Sequence, residues 1–236
     1  MIDIEMHEKA MRDIVRALKD KPICLKGGTA CVWAYHVPRF SEDLDFDAFG
    51  PINTGSIVKS LERANFSVIV EKEDESPTVT RVVARNKGGA AVKVEISKRK
   101  PFDEVRAHID NDNLLPIPVY SVERLFEDKI EALENRTTAR DFFDVAMLLR
   151  LYNERLAKSA AAQRFFQMIE EAGGIDPFAK RFLDAFLDEQ EHLLGEKDFD
   201  ISIKALASVL SRKVQPRSIS SLNVEILDED FWGMET

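Results

Sequence analysis

The stretch Cys24–Asp47, CLKGGTACVWAYHVPRFSEDLDFD, decides how this chain is read. A short apolar run, Ile23 to Leu25, is broken by Gly27-Gly28-Thr29, and Ala30–Tyr35 then has the look of a short helix stopped ahead of Pro38. Beyond Ser41 the chain alternates, so that on a strand Asp43, Asp45 and Asp47 share one face while Leu44 and Phe46 take the other. Carboxylates two positions apart on a strand begin about 6–7 Å apart and repel one another unless cations sit between them. Hard oxygen ligands at that spacing suit Mg²⁺ or Mn²⁺ bridged to substrate phosphates. A solvated acidic edge strand fits the same alternation.

Two neighbours favour the metal reading. A glycine turn between strand and helix offers backbone N–H groups and the positive end of a helix dipole to a phosphate, and Thr29 adds a hydroxyl. A third acid then appears in VKVEIS, 92–97, where Val92, Val94 and Ile96 line one strand face and Glu95 stands on the other. Beside the DLDFD strand, Glu95 would complete a triad of acids. Asp47, third in the alternation, is expected to lie outside the metal site.

Outward from this centre, Ala10, Met11, Ile14, Val15 and Leu18 predict an amphipathic helix over 7–18, and Ile57, Val58, Leu61 and Ala64 another over 56–64. Strands are predicted at 66–72, 78–85 and 90–97, the last two joined by the hairpin signal Asn86–Gly89. From Ser121 the pattern is helical almost throughout. The prolines of LLPIPVY predict a boundary near 115–120, hence a mixed domain over 1–117 and a helical domain over 118–236.

On a helix beginning after Ser121, Val122, Leu125, Phe126, Ile130 and Leu133 form an apolar stripe with Lys129 near its middle. A lysine there is costly to bury unless its amine snorkels out or reaches an anion, such as a triphosphate. Downstream, a helix capped by Thr137 or Thr138 and running to about Tyr152 gathers Arg140, Asp141 and Asp144 away from Phe142, Ala146 and Leu149. Asp141 is expected to be structural, paired with Arg136 or Arg140.

The ordered set of strand, Gly-Gly-Thr turn, helix, Asp-x-Asp strand and later acid resembles the DNA polymerase β-like nucleotidyltransferases. The match is closer to one branch, the AbiEii/AbiGii toxin family that includes the MenT toxins. Lys26, Gly27, Gly28, Thr29, Tyr35, Arg39, Ser41, Asp43, Leu44, Asp45 and Phe46 carry its first block. Lys129, Ala132, Arg136, Arg140, Asp141 and Asp144 carry the second, so the likeness spans roughly 5–150. Gly-Thr replaces the Gly-Ser common in polymerase-like enzymes and keeps the hydroxyl.

The resemblance implies an α+β fold: a polymerase β-like domain with a mixed sheet and flanking helices, followed by a helical bundle. It implies transfer of a nucleoside monophosphate from an NTP to an acceptor hydroxyl, with Asp43, Asp45 and Glu95 holding Mg²⁺ or Mn²⁺. Lys129 would contact the nucleotide phosphates and Asp144 would belong to the active site. Lys26, Gly27, Gly28, Thr29, Arg39 and Ser41 would line the nucleotide site. It further implies the toxin of a toxin–antitoxin pair, with a cognate antitoxin as partner and the 3′ end of tRNA, or another RNA, as acceptor. A transferase acting on a small hydroxylated molecule and a nucleotide-binding regulator without transfer activity are the competing readings.

The bulk composition agrees with a soluble protein: 236 residues, 44% hydrophobic and 32% charged, with no apolar run long enough for a membrane span. The N-terminus lacks a signal-peptide pattern, so a cytoplasmic location and reduced Cys24 and Cys31 are expected. A net charge of −9 argues against non-specific coating of nucleic acid, although Lys98–Lys100 and the series Arg124, Lys129, Arg136, Arg140, Arg150 could form local basic patches. The tail from Arg212, polar and then acidic around Phe231 and Trp232, either packs back on the body or offers a partner contact.

Overall fold

The computed structural model describes residues 3–73, 78–188 and 204. Helix α1 (Ile4–Leu18) opens where the Asp3 side chain accepts a hydrogen bond from the Met6 N–H, and it buries Ala10, Met11, Ile14, Val15 and Leu18. Each such large side chain contributes about 1.5–3 kcal/mol relative to exposure. Strand β1 (Ile23–Lys26) runs directly into α2 (Gly27–Tyr35), so the glycines form the first turn of the helix rather than a loop ahead of it. β2 (Leu44–Ala48) and α3 (Thr54–Arg63) follow, then the meander β3 (Ser67–Glu73), β4 (Val79–Arg85) and β5 (Ala91–Ser97). Asn86 closes the β4–β5 hairpin, its backbone N–H donating to the Ala90 carbonyl while its side chain accepts from the Ala90 N–H.

After α4 (Phe102–Ala107), two short strands, β6 (Ile109–Asp110) and β7 (Val119–Tyr120), precede the helices α5 (Val122–Asn135), α6 (Ala139–Leu151), α7 (Asn153–Leu156), α8 (Ala160–Glu171) and α9 (Ile175–Asp188). The strands make one mixed seven-stranded sheet in the order β3-β4-β5-β2-β1-β7-β6, in which β2–β5 and β1–β7 are parallel and the other pairs antiparallel. The α+β class expected from the sequence is the class observed.

The sheet's two faces differ in character. Leu44, Phe46, Val92, Val94 and Ile96 are buried, and α1 lies against β5 and α3 on that side. The alternate positions of β1, β2 and β5 carry Lys26, Asp45, Asp47 and Glu95. Helix α2 bridges the layers, packing on β1 and β2 as well as on α5 and α6. The expected boundary at 117/118 falls just before β7, which pairs with β1 through Leu25 and Val119, so the chain leaves the sheet only at Ser121. Ser121 caps α5 by accepting from the Arg124 N–H. The acidic tail beyond Arg212 lies outside the described residues.

Candidate active site

Strand register assembles the centre of the site. Lys26 on β1 stands opposite Asp45 on β2, Asp45 opposite Glu95 on β5, and Glu95 opposite Arg81 on β4. Four adjacent strands thus carry a row of charges in which two neighbouring acids, Asp45 and Glu95, are flanked by the cations Lys26 and Arg81. Neighbouring strands are about 4.8 Å apart, close enough for two carboxylates to share a cation. Asp43 lies just ahead of β2, and its carbonyl accepts the Thr29 hydroxyl at 2.5 Å.

The acids divide into two electrostatic classes. Asp43 is exposed, yet partial burial of its carboxyl raises its pKa, opposed by Lys93 and reinforced by Glu42. Asp45 is also raised, first by burial, then by Asp43 and Glu95 against the opposing charge of Lys26. Both carboxyls are thus raised first by the loss of water around them and then by a neighbouring acid, and a hard divalent cation bound to their oxygens would relieve both effects. Glu95 is engaged by Arg81 at 2.6 Å. Among the described residues no three His, Cys, Asp or Glu side chains gather closely enough to hold a metal ion. Asp43 and Asp45 fit such an ion by chemistry, and Glu95 fits by register once Arg81 yields it.

Asp47 behaves oppositely. Burial would raise its carboxyl, but Lys26 at 2.6 Å, the Tyr120 hydroxyl at 2.7 Å and Lys100 at 3.3 Å hold it below the usual range. It stands apart from the acid pair and ties β2 to β1 and β7.

The two glycines are there for close approach. Gly27 has φ +70°, and a Cβ on it would lie 2.9 Å from Asp45 Oδ2. A Cβ on Gly28 would run into the Arg39 guanidinium and stand 3.1 Å from Ser41 Oγ. The turn therefore lets an acid and a base press against helix backbone. Thr29 is buried, and its hydroxyl contacts Ser41 Oγ at 2.8 Å as well as the Asp43 carbonyl, so it fixes the loop bearing Asp43. The hydroxyl that the sequence pattern offers to a phosphate is thus engaged within the chain.

The second block forms a buried ionic network behind α2. Arg39 donates to both oxygens of Asp144, at 2.6 and 2.8 Å. Lys129 Nζ lies 2.6 Å from Asp144 and 2.8 Å from Asp141. Asp141 also receives Arg136 at 2.8 Å and the Thr138 hydroxyl. The anion that Lys129 needs inside its apolar stripe is thus internal, supplied by α6. Burial would lower the Lys129 amine, but the two aspartates hold it well above its ordinary value. Burial would likewise raise Asp144 and Asp141, and their cationic neighbours hold both below the usual range. Asp141 pairs with Arg136 as expected, while Asp144 has no solvent exposure and acts through Arg39 and Lys129.

Beside Asp45, against Gly27, opens a cleft of about 230 Å³ whose charged lining is Lys26, Lys100, Lys129, Arg136 and Asp128. The sequence pattern does not single out Lys100 or Arg81 as a site residue. Lys100 belongs to a basic cluster that is as easily solvated, and Arg81 can be found only by knowing that β4 registers against β5. Cys24 and Cys31 are free and buried, and burial pushes the Cys31 thiol up to about 12.

Residues 9–214 match a family model described as "Nucleotidyl transferase AbiEii toxin, Type IV TA system". The crystal structure of JHP933 from Helicobacter pylori is similar with a TM-score of 0.72 and 26% identity, covering 89% of this chain and 91% of that one. A second H. pylori crystal structure gives the same TM-score and identity over 89% of this chain and 94% of its own. MenT4, a nucleotidyltransferase toxin from Mycobacterium tuberculosis, is similar over 64% of this chain and 63% of its own, at 19% identity and a TM-score of 0.44. No curated protein gives a significant match.

Proposed function

Because the chain belongs to the AbiEii nucleotidyltransferase toxin family, we propose that it transfers a nucleoside monophosphate from an NTP to a hydroxyl of an RNA acceptor, the tRNA 3′ end being the leading candidate. The reading includes a divalent cation, Mg²⁺ or Mn²⁺, at Asp43, Asp45 and Glu95, a cytoplasmic site of action, and a cognate antitoxin as partner. Its main support is the pairing of Asp45 with Glu95 across β2 and β5, with Asp43 held beside them by Thr29.

When bound, the cation supplies neutralisation of the charge that builds on the phosphate oxygens. The chain's own residues do the rest. The acceptor hydroxyl oxygen forms a bond to the α-phosphorus, its proton passes to Glu95, and the bond from the α-phosphorus to the bridging oxygen breaks as pyrophosphate leaves. The first turn of α2 presents N–H groups that have no partner within the helix, close to Asp45, and these favour anionic phosphate. Arg39, Lys129, Asp141 and Asp144 hold α2, α5 and α6 in fixed relation, so that the glycine turn stays against Asp45.

Labelled NTPs incubated with the purified chain, a divalent cation and total RNA test the reading. Label in RNA supports it, whereas label in a small molecule, or in nothing, would overturn the acceptor class or the transfer itself.

A further inference from the structure

We propose that the cleft beside Asp45 is a phosphate-binding site in which Lys100, a residue outside both sequence blocks, contacts the anion, and that Asp47 is the positioning residue that aims Lys26 and Lys100 into it. The source of the phosphate rests on the transferase reading; the existence of the site does not.

Three observations meet here. The cleft's charged lining is four cations and one acid, between the end of β1 and one face of α5. Gly27 lines it, and Gly27 lies against the Asp45 carboxylate, so the cationic wall and the acid pair are contiguous. Below the wall, Asp47 is 1% exposed and accepts from Tyr120 while ion-pairing with both Lys26 and Lys100, whose side chains are 24% and 27% exposed. Both lysines line the cleft and both bond the same buried acid, so Asp47 fixes where their side chains lie along its wall.

The four cations are not equivalent. Lys129 is clamped between two carboxylates, at 2.6 and 2.8 Å, and is nearly enclosed. Lys100 is held more loosely, 3.3 Å from Asp47 and 3.7 Å from Asp128 on the facing helix, both longer than a good charge-assisted hydrogen bond. An ammonium has three donors. Lys100 can therefore turn toward an incoming phosphate without abandoning a strong bond. Two phosphates could occupy the cleft: the tail of an NTP or a phosphodiester of the acceptor RNA. Their shared chemistry is what the wall selects.

The test uses the full chain and the variants Lys100→Gln, Lys100→Arg, Asp47→Asn and Lys100→Gln/Asp47→Asn, each checked by thermal melting. Calorimetry follows binding of inorganic tripolyphosphate and, separately, of a short single-stranded RNA at several salt concentrations. Lys100→Gln is expected to weaken at least one probe about tenfold, Lys100→Arg to retain most of the affinity, and the salt slope for RNA to fall by about 1 if RNA is the occupant. Weakening of tripolyphosphate alone assigns the cleft to the NTP tail, and weakening of RNA alone assigns it to the acceptor. Asp47→Asn is expected to weaken the same probe, with the double variant losing measurably less than the sum of the two single losses. Unchanged binding of both probes in Lys100→Gln overturns the inference, and does so without touching the transferase reading if label is still transferred. Additive losses, or a lower melting temperature with unchanged binding in Asp47→Asn, would reduce Asp47 to a purely structural role.

Discussion

Arg39 and Asp144, 105 residues apart in sequence, meet in a two-pronged ion pair of 2.6 and 2.8 Å that has almost no access to solvent. The pair joins the loop after α2 to α6, and Lys129 on α5 completes it at 2.6 Å from the same carboxylate. Three elements that carry the site are therefore locked by charges that cannot be separated cheaply.

Removing one partner of such a group strands the others. Asp144→Asn is expected to destabilise the chain by about 3–5 kcal/mol, because Arg39 and Lys129 would remain buried with less than their compensating charge. Urea unfolding of the variant against the parent measures this, and an unchanged midpoint would show that the network does not bear on stability.

The same network sets an acid limit. The folded-state pKa values of Asp47, Asp141 and Asp144 lie below the ordinary carboxylate value. Their contribution is complete above the unfolded value of about 3.9 and is lost as pH falls through the folded values. Stability should therefore decline on acidification below about pH 4, and the urea midpoint measured from neutral pH downward should show it. Asp144→Asn should flatten that decline.

Asp43 and Asp45 carry the opposite sign. Their raised pKa values mean that the ionised forms oppose folding at neutral pH, so Asp43→Asn and Asp45→Asn should leave the melting temperature unchanged or higher. Both should nevertheless lose transfer activity by about 10²-fold or more, the scale for losing a group that stabilises developing charge. Asp47→Asn should destabilise instead. A fall in melting temperature for Asp43→Asn, matching that of Asp47→Asn, would contradict the division of the acids into those whose charge opposes folding and those whose charge supports it.

Gly27 is sensitive to a single methyl. Gly27→Ala must hold φ +70° and bring a Cβ to 2.9 Å from Asp45 Oδ2. The left-handed backbone costs about 1–2 kcal/mol, and displacement of Asp45 should lower activity further than that loss of stability explains. Parallel melting and transfer assays separate the two effects.

Much of the acid pair is legible in the sequence itself. The alternation at 43–47 puts Asp43, Asp45 and Asp47 on one face, and the apolar positions of 92–97 put Glu95 on the corresponding face of its strand. Local period alone fixes such choices. Register between distant segments is not written in any local period. Only pairing of β2 with β5 makes Asp45 and Glu95 neighbours, and only pairing of β4 with β5 brings Arg81 to Glu95. Lys129 is visibly anomalous in its stripe, but the anion it meets lies on α6, twelve and fifteen positions onward, where no helical period of α5 can point. Val119-Tyr120 reads as linker because two residues carry no periodicity. Yet β7 supplies the Tyr120 hydroxyl that steadies Asp47.

Nucleotidyl transfer at the acid pair stands or falls on one comparison. Purified chain and its Asp45→Asn variant, each shown to be folded by melting, are incubated with α-phosphate-labelled NTP, Mg²⁺ and total RNA. The expected result is label in RNA with the parent, dependent on the cation, and none above background with Asp45→Asn. Equal labelling by the variant would rule out transfer at the acid pair.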